Sequence, residues 1–189
     1  MNTPAHVALN ALLLGRAGWR PHWLAITAGA VLPDAPMVGF YLIERVVRGA
    51  PERVVWGQLY FDPHWQSLFD AFHSLPLIAL AALFAWRARA AAPLACLASM
   101  ALHCLADLLL HREDAHAHFW PLSSWRFESP VSYWDARYGG LAFLGCEVAL
   151  LVAAPFVLRR RSPAWGRVGW VTLGVSFAFA AFAALAWAG

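Results

Sequence analysis

The chain has 189 residues, enough for one ordinary domain. Hydrophobic residues make up 61% of it and charged residues 13%, and a mean hydropathy of +0.54 excludes an ordinary soluble domain and points to a membrane protein. The net charge of +3 is carried by arginine alone, since there is no lysine; it is too small and too dispersed for a nucleic-acid binder.

In chain order, residues 4–18 predict a short apolar helix, re-entrant or partly spanning, with His6 and Asn10 set into it. Its apolar stretch precedes Arg16 and Arg20 instead of following a basic region, which is the wrong order for a signal peptide. Residues 22–43 predict a broken or kinked span, because Pro33 and Pro36 flank Asp34 and remove backbone donors. Further spans are predicted over 68–86, 90–110, 139–158 and 166–187; the last has no ionisable residue from Val168 onward. Cys96, Cys104 and Cys146 sit in apolar runs with no CxxC pair and read as small hydrophobes. The expected fold is an all-α polytopic membrane helical bundle, with about four to five spans plus a short N-terminal helix. It forms a single integral-membrane domain over 1–189, with the site in about 1–130 and C-terminal spans over about 139–189.

Arginine in short loops sets orientation. Arg87, Arg89, Arg159, Arg160, Arg161 and Arg167, with Arg16 and Arg20, fall on one side, taken as cytoplasmic; this puts 45–67 and 111–138 outside, although Arg45, Arg48 and Arg53 count against it. The outer loop carries Phe119, Trp120, Trp125, Phe127, Tyr133, Trp134 and Tyr138, which suit the headgroup level.

The segment 101–122, "ALHCLADLLLHREDAHAHFWPL", begins as an apolar helix and ends in titratable groups. His103, Asp107 and His111 are spaced i, i+4, i+8 and form one stripe on a helix, so an imidazole and a carboxylate from adjacent turns reach one ion. Asp34, His73 and Glu147 lie within other spans, where an ionisable residue is costly and marks function. In the expected topology these positions, with His6, agree on one level of the bundle, as a shared metal site requires. A structural reading stands beside this one. His103 and Asp107 could be a buried pair, His73 a hydrogen-bonding core residue, Asp34 a cap, Glu147 the partner of an arginine, Glu113 and Asp114 solvated loop charges, and His111, His116 and His118 interface residues.

The order of "PAH" near the start, "LPD" at 32–34, "FHS" at 72–74, "HCLAD" at 103–107 and "WPLSSWRFESP" at 120–130 resembles the membrane-bound, metal-dependent hydrolase family. This group of inner-membrane hydrolases includes a LexA-regulated member of enteric bacteria. The resemblance implies metal ligands at His6, Asp34, His73, His103 and Asp107, and location in a bacterial inner membrane. The chain departs from the pattern after "LPD", where Pro36 and Met37 replace a second acid and a histidine, and at "SLFDAFHS", which replaces an HRG-type segment. His111, His116 and His118, or Asp70, are candidates to compensate. A more distant similarity, to zinc-dependent phospholipase C and the P1 nuclease, implies phosphoester hydrolysis.

Mixed histidine and carboxylate ligands without thiolate suit zinc, with manganese or iron as alternatives, as one or two ions. Asp107 could bridge two ions, and Asp70 or Asp114 could act as general base. Arg112, Arg126 and Arg137 could hold a phosphate. The expected partners are the lipid bilayer and an amphiphilic substrate admitted sideways from it, with the site on the extracytoplasmic side. Two further readings are a metal-binding transporter and a non-catalytic membrane protein whose polar cluster is structural.

Overall fold

The computed structural model describes residues 1–188; the side chains of residue 17 and residues 182–188 fall outside what it describes. All regular structure among the described residues is helical. Helix α1 (Thr3–Leu14) starts after Asn2 with Pro4 in its first turn, where a missing N–H costs nothing. The predicted broken span then appears as α2 (Trp23–Val31), a 3-10 turn Leu32–Asp34, α3 (Ala35–Tyr41) and a π-helical turn Leu42–Val47. Pro33 and Pro36 impose the break because neither supplies an N–H to the helical ladder.

Helices α4 (Glu52–Gly57) and α5 (Pro63–Phe72) follow, α5 being capped by Asp62, which accepts from the His64 amide at 2.9 Å. The sequence pattern predicts one continuous span over 68–86, whereas the structure interrupts it at His73–Ser74, between α5 and α6 (Leu75–Arg87). Two features cause the interruption: Ser74 caps α6 by accepting from the Leu77 amide, and Pro76 has no amide to continue the preceding ladder. Helices α7 (Ala91–Leu108), α8 (Gly140–Arg159) and α9 (Pro163–Ala188) follow the remaining predicted spans closely. The span expected over 166–187 lies on α9, its side chains from 182 onward outside the described residues.

Four stretches are long and apolar enough to cross a membrane, Gly18–Val47, Pro63–Arg87, Ala91–Leu108 and Gly140–Arg159, and α1 is a shorter apolar helix beside them. Much of their apolar surface faces outward: Leu80, Phe84, Val148 and Val171 are 52–62% exposed. Contiguous exposed hydrophobics on this scale need a cover, which a bilayer provides.

Small residues bring the helices close. A Cβ on Gly29 would stand 2.1 Å from the Cys96 carbonyl oxygen, so α2 and α7 meet backbone to backbone there. Beside that contact Asn10 Nδ2 donates to the Ser99 carbonyl and Oγ, and Ser99 Oγ donates to the Ile26 carbonyl. This polar staple fixes α1, α2 and α7 in register. One turn further along the same faces lie His6, Ala30 and His103. A second cluster, Phe40, Val55, Tyr60 and Phe69, locks α3 and α4 against α5, whose end carries His73.

Candidate metal centre

Asp34 from the 3-10 turn, His73 from the α5–α6 break, and His103 and Asp107 from α7 each bring one donor atom into a group whose members lie within 4.8 Å of one another, which could hold a metal ion. His103 Nε2 stands 2.9 Å from Asp107 Oδ2 and 3.5 Å from Asp34 Oδ1; His73 Nε2 stands 3.6 and 3.9 Å from the same two oxygens. Ligands about 2.1 Å from one tetrahedral ion lie about 3.4 Å apart, so this is the spacing of a shared coordination sphere.

The far side of each ring sets its tautomer. His73 Nδ1 lies 2.9 Å from the Phe69 carbonyl oxygen, and His103 Nδ1 lies 2.8 Å from that of Ala30. A carbonyl only accepts, so Nδ1 carries the proton in both rings and a neutral ring turns an Nε2 lone pair inward. Both Nε2 atoms are buried without a directed hydrogen bond, despite the nearby carboxylates. The cost of two buried carboxylates facing one point is met when a cation sits between them.

The other candidates surround this group. His6 Nε2 is 2.8 Å from Asp107 Oδ1, and the ring stacks on His103 with centroids 3.6 Å apart. His111 Nε2 is 3.1 Å from Asp107 Oδ1, while its Nδ1 meets Asp114 Oδ2 at 2.9 Å. The amino group of Met1 donates to Asp107 Oδ1 at 3.0 Å and lies 3.1 Å from His111 Nε2. His116 stacks on His73 at 3.9 Å, and His118 donates Nδ1–H to the His73 carbonyl at 3.2 Å. All three late histidines are therefore inside, each no more than 5% exposed.

Burial and the neighbouring His73 push His118 down to about 4, and burial with His73 and His111 holds His116 well below the ordinary imidazole range. Both rings are neutral near pH 7, the form in which imidazole binds metal. Burial, the largest single effect, would lower His111 too, but Asp107 and Asp114 together outweigh it and raise the group to about 9.

Asp70 and Asp114, the candidate general bases, are engaged elsewhere. Arg126 donates from both guanidinium nitrogens to the two oxygens of Asp70, and the Ala117 amide donates to Asp70 Oδ1 at 2.9 Å. Asp70 thus pins the loop bearing His116 and His118. Asp114 stands behind His111. The candidate phosphate-binding arginines are also partnered: Arg126 with Asp70, Arg137 with Asp135, and Arg112 with the Ser129 carbonyl and the face of Tyr138. Glu147 meets no arginine; its oxygens accept from the Asn2 amide and Asn2 Nδ2 at 2.9 and 2.7 Å, anchoring the start of α1.

Several contributors carry no signal in the sequence. The carbonyls of Ala30 and Phe69 act through backbone alone, and Thr3, which donates to Asp34 Oδ2, is an ordinary first-turn residue. Only the i−4 spacing of Phe69 before His73 offers a hint. Fold and site together define the class: an all-helical membrane-type bundle with a His/Asp cluster able to hold a metal ion. No family model matches the chain, and neither does any curated protein or solved structure.

Proposed function

We propose that this protein is a membrane-embedded, metal-dependent hydrolase that cleaves a phosphoester of a lipid or other amphiphile. The reading rests on one observation: His73 and His103, protonated at Nδ1, aim bare Nε2 atoms at the oxygens of Asp34 and Asp107 in a buried cluster. This donor set, two imidazoles and two carboxylates without thiolate, suits zinc, with manganese or iron as alternatives. The motif order that resembles the membrane-bound metal-dependent hydrolases agrees with it and with a place in a bacterial inner membrane, and the arginine placement in short loops agrees with a site on the extracytoplasmic side.

A divalent ion held there supplies Lewis-acid stabilisation and a water acidified toward neutral pH. The chain's own groups do the rest. Phe69 and Ala30 hold the imidazole tautomers, and Thr3 fixes one oxygen of Asp34 so that the other faces His103. The side chain of Asp34 is 12% exposed, against 0% for His73 and His103 and 2% for Asp107, so Asp34 is the member of the group nearest the surface. Val31 and Leu32 beside it are 38% and 37% exposed. Outward-facing apolar side chains beside the most exposed member of the group favour a substrate with an acyl or similar tail, delivered from the bilayer.

The test is metal content by plasma mass spectrometry on detergent-purified protein, followed by turnover of phospholipids and lipid phosphates with and without chelation. Stoichiometric zinc, manganese or iron, lost in monodisperse His103→Ala and Asp107→Ala variants and required for turnover, is the expected result. Metal-dependent flux into liposomes without turnover would make the protein a transporter, and no metal after reloading would leave a structural polar cluster.

A further inference from the structure

The two oxygens of Asp107 serve two groups of imidazoles. Oδ2 faces His103 and His73 at 2.9 and 3.6 Å, the position described above. Oδ1 faces His6 Nε2 at 2.8 Å and His111 Nε2 at 3.1 Å, again at the spacing of fellow ligands.

Ring stacking keeps the groups apart. His6 lies on His103 with planes 12° apart, and His116 lies on His73 at 15°. Imidazoles that share an ion point in-plane lone pairs at one point, and the lone pairs of parallel, stacked rings never meet. His6 and His116 therefore cannot join the ion that His103 and His73 would hold. His111 and His116, by contrast, have ring centres 5.4 Å apart, close to the about 5 Å expected for two imidazoles on one tetrahedral ion.

Something must also explain the polar atoms left over. His6 and His116 are 0% and 1% exposed; His6 Nε2 faces Asp107 Oδ1 at 2.8 Å without hydrogen-bond geometry, and His6 Nδ1 and both nitrogens of His116 have no partner. A buried imidazole without a partner is strongly disfavoured, and the Asp34–His73–His103–Asp107 group uses neither ring. His111 is backed by Asp114 at 2.9 Å, the carboxylate–histidine pairing that orients a ligand nitrogen.

We propose a second divalent-cation position formed by Asp107 Oδ1, His6, His111 and His116, with Asp107 bridging it to the first. The inference rests on the hydrolase reading for the first position. His111 and His116 lie outside the motifs that carry the family resemblance. Carboxylate-bridged ions stand about 3.5–4 Å apart, the spacing that lets a pair clamp the attacking and leaving oxygens of a phosphoester.

The test uses the full chain in detergent, loaded separately with zinc for counting and with Mn²⁺ for low-temperature electron paramagnetic resonance. The wild type is expected to hold two equivalents, with an exchange-coupled manganese spectrum. The double variant His111→Gln, His116→Gln is expected to hold one, with an isolated six-line spectrum; the retained ion shows that the variant is folded. A wild type that binds one equivalent with a six-line spectrum, unchanged in the double variant, would overturn the second position and leave the first intact. Absence of metal from both proteins would remove the hydrolase reading and this one together.

Discussion

The two ends of α1 make opposite use of buried polarity. At its C-terminal end Arg161 Nη1 donates to the carbonyls of Ala11, Leu12 and Gly15 at 3.0, 2.8 and 3.3 Å, closing off the last turn. The three carbonyls share that one charged donor, as in a contact that serves the fold, while the buried Trp165 Nε1 packed beside Gly15 is left without a partner. At the other end, His6 is fully buried with both ring nitrogens unpartnered, among five other histidines and two inward-facing carboxylates. The two ends share a helix but differ in degree: the Arg161 contacts are part-buried beside one unpartnered indole N–H, whereas the His6 end is fully buried and leaves several imidazole nitrogens incomplete. A polar cluster that has been folded to completion is structural, while one held rigid and left incomplete is shaped for something absent from the chain.

The strongest way to break that comparison is Asp107→Asn. The substitution keeps the volume and removes the charge on which His6, His103 and His111 converge. Bound metal is expected to fall from stoichiometric to background in mass spectrometry while the variant stays monodisperse. Metal retained at the wild-type level would return the cluster to the structural class, alongside Arg161.

Acid comes next. His118 titrates at about 4 in the folded chain against 6.5 unfolded. The unfolded chain takes up that proton first, so the contribution of His118 is complete above pH 6.5 and is lost as pH falls toward 4, on the order of 3 kcal/mol. His111, raised to about 9, has the opposite sign: its contribution is complete below 6.5 and fades as pH rises through 9. Unfolding of the chelated protein, followed from about pH 4 to about pH 10, should show stability lost at both ends. His118→Gln is expected to shrink the loss on the acidic side, where His116 also contributes, and to leave the alkaline side unchanged.

Arg126→Ala sharpens the comparison without touching a donor. Asp70, 4% exposed, would lose its charged partner and with it the hold on Ala117. Breaking a fully buried pair costs about 3–5 kcal/mol; with the Arg126 side chain 33% exposed, about 2–3 kcal/mol is expected. A loosened supporting shell should also weaken metal binding by about 10–100-fold, measured by competition with a chelating dye.

How much of this was legible in the chain differs between fold and site. The spans are read from unbroken apolar runs, and the kink at 32–34 from two prolines, because hydrophobic length and proline geometry act locally. His103 and Asp107 are read from i, i+4 spacing for the same reason. The break at Ser74 was not read, because a capping hydroxyl inside an apolar run looks like any small residue until its partner, the Leu77 amide, is seen. The inward placement of His116 and His118 depends on Asp70 and Arg126, 56 residues apart in sequence, and nothing local announces that pairing. Glu147 illustrates the same limit: its charge predicts a basic partner, and tertiary packing supplies the Asn2 amides instead.

The smallest effect belongs to Arg161→Ala, and it bears on whether the ends of α1 are independent. Three carbonyls lose one charged donor, but the residue sits in the turn between α8 and α9 where water can replace it, so about 1–2 kcal/mol of stability is expected to be lost. Metal content should not change. Between Arg161 and His6 stands the Asn10–Ser99–Ile26 staple, so fraying at the last turn is stopped before it reaches the imidazole, and the Glu147–Asn2 pair holds the start of the helix separately. If the variant lost metal in proportion to stability, α1 would be acting as one rigid lever, and the completed end would be part of the site. Unchanged metal content alongside a lowered unfolding midpoint is the outcome expected from a helix clamped at its centre.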